Sequence, residues 1–212
     1  VRGERSHYEP IEGFSRIVSS SEPLGILQEI RPREVYIADL DLLMGRGDNL
    51  AAIKQISSRA KTMADTGISR AGDLDRLPAS VSLVLGTETA SLQLMQEAAR
   101  EYRIIVSIDM MKRKVLARDP QLAGKTPMQL LKMLNGLTLE GVILLDLDRV
   151  GTSAGLDVPF LEEAGSAVEH PLILGGGVKD AEDLLVLEEI GFSGALLATA
   201  LHNGRIPVAR VQ

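Results

Sequence analysis

Short, nearly continuous apolar runs alternate along this chain with longer stretches whose apolar residues recur every three or four positions. The runs at Glu34–Asp39, Lys61–Ala64, Ser82–Leu85, Arg103–Asp109, Gly141–Asp146, Leu172–Leu174 and Gly194–Ala198 are rich in Val, Ile and Leu. That pattern predicts strands buried on both faces of a parallel sheet. The stretches between them carry helix start and stop signals. Asp48 or Asn49 can cap a helix through Ala51, Ile53 and Ile56, and Thr89 or Ser91 one through Leu94 and Ala98. Thr126-Pro127 sets a cap and an N1 proline before MQLLKML, which Asn135-Gly136 can end; Asp180 opens AEDLLVLEEI and Gly191 closes it. No Pro/Gly/Ser-rich linker or low-complexity block intervenes, so residues 1–212 read as a single domain. Repeated β-then-α units call for a parallel sheet with right-handed crossovers, closed as a barrel or doubly wound.

An internal repeat decides between the two. Ala38-Asp39-Leu40-Asp41 recurs as Leu145-Asp146-Leu147-Asp148, Ala64–Leu74 lines up with Leu174–Leu184, and Leu85–Ser91 with Leu197–Asn203. Three successive strand-to-loop junctions thus match in order at nearly one offset. The reading is an α/β fold, a (βα)8 TIM barrel built from two half-barrels, residues 1–101 and 102–212. The second half supplies four strands and the first only three, because the partner of Arg103–Asp109 would precede Val1. The first strand is therefore expected in roughly 10–25 residues upstream. An uncovered barrel edge would favour homo-oligomers.

Composition narrows the class. The absence of cysteine excludes disulfides, thiolate zinc sites and cysteine nucleophiles, and fits a reducing, cytoplasmic setting. No apolar run reaches the roughly 18 residues that would suggest a membrane span, so no membrane partner is expected. A net charge of −6 with three Phe, three Tyr and no Trp argues against nucleic-acid binding.

In such a barrel the working residues sit at the C-terminal strand ends. Asp39, Asp41, Asp65, Asp109, Asp146 and Asp148 all fall there. Carboxylates crowded at a barrel mouth can act as acid and base, or hold a divalent cation, or brace loops by pairing with Arg46, Arg149 or backbone amides. Asp109 stands out because it ends an apolar strand with no adjacent acidic residue. Small residues at the other junctions read as phosphate loops, where backbone amides approach an anion closely. These are Gly151, Gly176, Gly177, Ala198 and Thr199 in the second half, and Gly67, Gly86 and Thr87 in the first. Two such sets predict a small-molecule ligand with a phosphate at each end. His7 and His170 read as solvent-facing and His202 as packing near the last helix, so no histidine metal site is expected. Lys112-Arg113-Lys114 reads as a solvated loop, and Met110 and Met111 as apolar filler.

The order YIADLD (Tyr36–Asp41), DTGIS (Asp65–Ser69), LGTETA (Leu85–Ala90), VSID (Val106–Asp109), LDLDRVGTSAGLD (Leu145–Asp157), LGGGV (Leu174–Val178) and LLATALHNG (Leu196–Gly204) resembles the histidine-biosynthesis barrels. These comprise the phosphoribosylformimino-aminoimidazole-carboxamide ribotide isomerase and the cyclase subunit of imidazole glycerol phosphate synthase. The resemblance implies a duplicated half-barrel, no metal or organic cofactor, and a bisphosphorylated ribotide held by the two phosphate sets. It also implies an Amadori rearrangement of aminoaldose to aminoketose by two aspartates, one ending the first strand and one the fifth. Asp109 matches the fifth-strand aspartate; its partner would lie upstream of Val1. Three positions depart from the family pattern. DTGIS stands in place of a GGGIR-like loop, Leu145 in place of a threonine, and Val150 in place of the aspartate of DGT. The chain therefore reads as a divergent relative. The alternatives are a paralogue acting on another phosphosugar and a non-catalytic barrel that binds a phosphorylated metabolite.

Overall fold

The computed structural model describes residues 10–212. Seven parallel strands form the sheet: β1 (Glu34–Ala38), β2 (Lys61–Asp65), β3 (Val81–Gly86), β4 (Ile104–Met111), β6 (Gly141–Asp146), β7 (Leu172–Gly175) and β8 (Gly194–Leu196). They pair in the order β1-β2-β3-β4-β6-β7-β8, and the two-residue β5 (Lys114–Val115) folds back antiparallel on β4. The sheet curls into a nearly closed barrel, so the architecture is α/β of the (βα)8 TIM-barrel type. Strands β1 and β8 end the hydrogen-bonded path and share no ladder among the described residues.

Helices α1 (Pro23–Ile30), α3 (Leu50–Ser57), α4 (Leu92–Ala98), α5 (Pro127–Leu134), α6 (Val158–Ala167) and α7 (Ala181–Glu189) fall between strands or ahead of β1. The short α2 (Leu40–Met44) and α8 (Thr199–His202) follow β1 and β8 directly. Their starts obey local chemistry. Ser91 accepts the Leu94 amide and opens α4, Asp180 accepts the Asp183 amide and opens α7, and Thr126 with Gln129 forms a reciprocal capping box on α5. Asn49 stands at the start of α3 without a side-chain cap, while Asp48 accepts the Leu50 amide. Helix α6 begins at Val158-Pro159 and buries Leu161, Ala164 and Ala167.

The pleat divides the apolar residues into two layers. Met63, Val84, Ile105 and Ile143, joined by Tyr36, Leu145, Ile173 and Leu196, line the inside of the barrel. The opposite strand faces, including Ala64, Leu83, Val106, Ile108 and Leu144, pack against the helices in the larger outer core. Burying a Leu or Ile fully contributes roughly 1.5–3 kcal/mol, so these layers dominate the fold's stability. The chain ends are laced across the region between β8 and β1. Arg33 N donates to Val211 O at 2.9 Å, Gln212 Nε2 to Ile30 O at 2.8 Å, and Arg16 N to His202 O at 2.7 Å.

Candidate functional site

Strand alternation sorts the aspartates at the C-terminal end of the sheet. On β2 and β4, Asp65 and Asp109 share the parity of Met63 and Ile105 and face into the barrel. Asp146 shares the parity of Leu144, which belongs to the outer core, and Asp39 that of Ile37. Both therefore point away from the barrel axis.

Asp109 is 3% exposed and fully engaged. Ser107 Oγ donates to its Oδ1 at 2.7 Å, the Glu88 amide donates to Oδ2 at 3.2 Å, and its own amide donates to Thr87 Oγ1 at 3.0 Å. The carboxyl leans over Gly86 on the neighbouring strand; a Cβ there would stand 2.7 Å from Asp109 Oδ2. Burial pushes its pKa up to about 7, helped by the charges of Asp65 and Glu88 and opposed by the hydrogen bonds from Ser107 and Glu88. A carboxyl titrating near neutrality can both give and take a proton under working conditions, which is what acid–base catalysis requires.

The other carboxylates hold loops. Asp39 accepts from the amides of Leu42 (3.2 Å) and Asn49 (2.7 Å) and from Asn49 Nδ2 (2.8 Å). It caps α2 and pins the loop before α3. Asp41 is exposed and accepts a second bond from Asn49 Nδ2 at 3.1 Å. Asp146 lies 3.3 Å from Arg113 Nη1, and its pKa is raised by burial, with Arg113 and Arg149 pulling the other way. Asp148 accepts the Lys112 amide. Asp39, Asp41 and Asp146, taken from the sequence as mouth carboxylates, thus brace the loops. Asp65 faces the barrel, is buried, and accepts the Gly67 amide at 3.0 Å. Among the described residues no cluster of three or more His, Cys, Asp or Glu side chains is arranged to hold a metal ion.

The two expected phosphate sets differ. A cavity of about 880 Å³ runs along the inner face of the barrel and takes in Gly151, Gly176, Gly177, Ala198 and Thr199 at its upper end. Gly176 and Gly177 have φ of 94° and 93°, and a Cβ on either would strike the loop after β6: Asp146 O at 2.6 Å or Arg149 Nε at 2.9 Å. Glycine is required here for both conformation and close approach. The first-half set lies outside this cavity. Gly67 is covered by Leu43, Gly86 by Asp109, and the Thr87 amide is spent on Ser107 O at 2.9 Å. The departures from the family pattern sit on the open side. Leu145 lies against Gly175, Val150 against Gly176, and both line the cavity.

Arg113 and His170 are half-buried rather than solvent-facing. Arg113 is half-buried at the tip of the β4–β5 hairpin, where it pairs with Asp146 and with Asp157 at 2.5 Å and stacks 3.8 Å from the Phe160 ring centroid. It therefore ties the hairpin to the loop after β6, contrary to a solvated loop. Lys112 and Arg113 both have positive φ, as a two-residue hairpin turn demands, yet neither is the Gly or Asn that signals such turns. His170 is half-buried, its Nε2 3.0 Å from Leu134 O, because the residues before Pro171 pack under the end of α5. His202 is buried in α8, where Ser15 Oγ meets its Nδ1 at 3.0 Å and burial lowers its pKa. His7 lies outside the described residues.

A nearly closed (βα) barrel with an inward carboxyl at its mouth and a glycine-lined cavity beside it defines the class: a barrel of the kind that carries its chemistry at the C-terminal strand ends. The sequence model of the family described as histidine biosynthesis protein matches residues 12–207, and the chain belongs to that family. It is 29% identical to an uncharacterized protein of Methanocaldococcus jannaschii, over 99% of this chain and 89% of that protein. A second relative, from Myxococcus xanthus, is 28% identical over 92% of this chain and 87% of its own length. It is named as the isomerase of 1-(5-phosphoribosyl)-5-((5-phosphoribosylamino)methylideneamino)imidazole-4-carboxamide. The isomerase of the same name from Deinococcus radiodurans is 31% identical over 82% of this chain and 76% of its own length. No helix among the described residues is long and apolar enough to cross a membrane.

Proposed function

We propose that this protein is a cytoplasmic ribotide isomerase of the histidine-biosynthesis type, converting an aminoaldose to an aminoketose by aspartate acid–base catalysis. The observation that carries this reading is Asp109, inward-facing at the end of β4 with its carboxyl pushed up to about 7. Opening the ribose ring requires a proton on the ring oxygen, and forming the enol requires loss of the C2 proton. Asp109, mostly protonated below neutrality, is suited to deliver the first, and the carboxylate this leaves is suited to take the second. Asp65 faces the same mouth and its charge keeps the proton on Asp109. One phosphate of the substrate is assigned to Gly151, Gly176, Gly177, Ala198 and Thr199 at the head of the cavity.

A second reading has its own support. Leu145 and Val150 give the cavity apolar side chains where hydrogen-bonding groups stand in the family pattern, and Gly67, Gly86 and Thr87 are packed outside it. Those features suit a paralogue acting on a different sugar phosphate with a single phosphate end. Complementation of a bacterial strain lacking the isomerase separates the two. Growth without histidine supports the ribotide reaction. No growth from a folded, expressed protein that still binds ribose 5-phosphate supports the paralogue.

A further inference from the structure

Two residues before Asp109, the inner face of β4 carries a serine. Strand alternation puts Ile105, Ser107 and Asp109 on that face, and Ser107 is fully buried. Its neighbours across the sheet are Gly86 on β3 and Ile143 on β6, and neither brings a polar side chain. A hydroxyl sealed among such groups costs free energy unless it is hydrogen-bonded. Among the described residues the Ser107 hydroxyl bonds to one group, donating to Asp109 Oδ1 at 2.7 Å. Alanine would occupy the same place without a polar atom, so the serine hydroxyl acts on the carboxyl above it.

The surrounding bonds hold that contact in register. Thr87 N donates to Ser107 O at 2.9 Å, Asp109 N donates to Thr87 Oγ1 at 3.0 Å, and the Glu88 amide donates to Asp109 Oδ2 at 3.2 Å. The two carboxyl oxygens are therefore held unequally. Oδ1 takes a short bond from a hydroxyl, and Oδ2 a long one from an amide. The tighter bond makes Oδ1 the less basic oxygen and leaves Oδ2 as the better seat for a proton. With the proton on Oδ1, Ser107 would have to accept it, and its own hydrogen would find no side-chain acceptor on Gly86, Ile105 or Ile143. Burial and the charges of Asp65 on β2 and Glu88 after β3 keep the proton on the carboxyl, while β6 sets the uncharged Leu145 opposite. The bond from Ser107 is the stronger of the two hydrogen bonds that oppose them.

We infer that Ser107 is the positioning residue of Asp109: its hydroxyl holds Oδ1, so that Oδ2 carries the proton given to the ring oxygen and receives the one taken from C2. This rests on the acid–base role proposed for Asp109. The proton count closes, because Asp109 gives one proton as the bond from C1 to the ring oxygen breaks and regains one from C2. Between the two transfers Asp109 is a carboxylate that can only accept, and Ser107 is the donor already in place to stabilise it.

The test follows the Asp109 carboxyl by carbon-13 NMR titration in wild type and Ser107→Ala. It also follows turnover of the aminoaldose ribotide by these two proteins, Asp109→Asn and the double variant. In Ser107→Ala the carboxyl should titrate about one pH unit higher than in wild type. At neutral pH kcat should fall about tenfold with KM nearly unchanged, and the alkaline fall of kcat should move upward with the carboxyl. In the Asp109→Asn background the same replacement should cost nothing further. An unmoved titration in Ser107→Ala would overturn the inference. So would an equal loss of turnover in the Asp109→Asn background, which would make the hydroxyl merely structural. If wild type converts no ribotide, the isomerase reading fails, and the titration alone decides whether Ser107 governs Asp109. If wild type converts it and Ser107→Ala keeps the same kcat, only the inference fails.

Discussion

Replacing Asp109 with Asn removes the charge of this side chain while keeping its shape. Asn keeps an oxygen for the Glu88 amide and turns its NH2 to Ser107 Oγ, which can accept, but it cannot ionise. In the folded protein Asp109 is pushed from the ordinary 3.8 to about 7. Between those two values the unfolded chain releases the proton and the folded chain keeps it. The folded state then binds more protons, so stability falls as pH rises through this window, the reverse of a carboxylate held by a salt bridge. At roughly 1.4 kcal/mol per pKa unit, the full shift corresponds to about 4 kcal/mol. That loss is complete above neutrality and absent below the unfolded value. Because the side chain is 3% exposed, solvent screening takes little from it. Urea unfolding of wild type and Asp109→Asn from about pH 4 to about pH 8 measures it directly. The stability of the variant relative to wild type should rise by about 2–4 kcal/mol across the range and level off above pH 7. A difference that stays flat would refute the claim that burial and the charges of Asp65 and Glu88 hold this proton.

Three further outcomes follow from the packing. Gly86→Ala places a methyl 2.7 Å from Asp109 Oδ2, and should destabilise the protein by about 1–3 kcal/mol in urea and reduce turnover by displacing the carboxyl. Arg113→Met removes the ion-pair partner of Asp146 and breaks the tie to Asp157; limited proteolysis should cut the loop after β6 faster, with a stability loss of about 1–3 kcal/mol. Thr126→Ala removes half of the capping box on α5 and should lower the unfolding free energy by about 1 kcal/mol, while leaving ligand affinity unchanged.

The strands of this barrel are legible in the sequence because parallel strands covered on both faces need uninterrupted Val, Ile and Leu, and the runs at residues 34–39 to 194–198 supply them. Helix starts at Ser91, Thr126 and Asp180 were readable for the same reason: each is a local bond between a side chain and a nearby amide. The β4–β5 hairpin is not legible in the sequence because its turn is Lys112-Arg113, with positive φ at residues that do not announce it. Helix α6 has a legible start, Asp157 ahead of Val158-Pro159, although the Asp157 side chain makes no cap bond in the fold. Among the carboxylates, counting alternation from the apolar residues would already separate Asp65 and Asp109 from Asp39 and Asp146. The work of Asp39 in pinning Asn49, and of Arg113 in pairing with Asp146 and Asp157, depends on loops meeting in space. Nor can a sequence state the raised pKa of Asp109, which arises where β2, β3 and β4 bring Asp65, Thr87 and Gly86 around one carboxyl.

The claim that Asp109 is the proton donor of a ribotide isomerase is tested most directly by turnover of the purified protein on the aminoaldose ribotide, wild type against Asp109→Asn. The account predicts formation of the aminoketose by wild type, a loss of at least about a hundredfold in kcat for the variant, and a nearly unchanged Kd for the ribotide. Turnover by Asp109→Asn at the wild-type rate, or a wild type that binds the ribotide and never converts it, would contradict it.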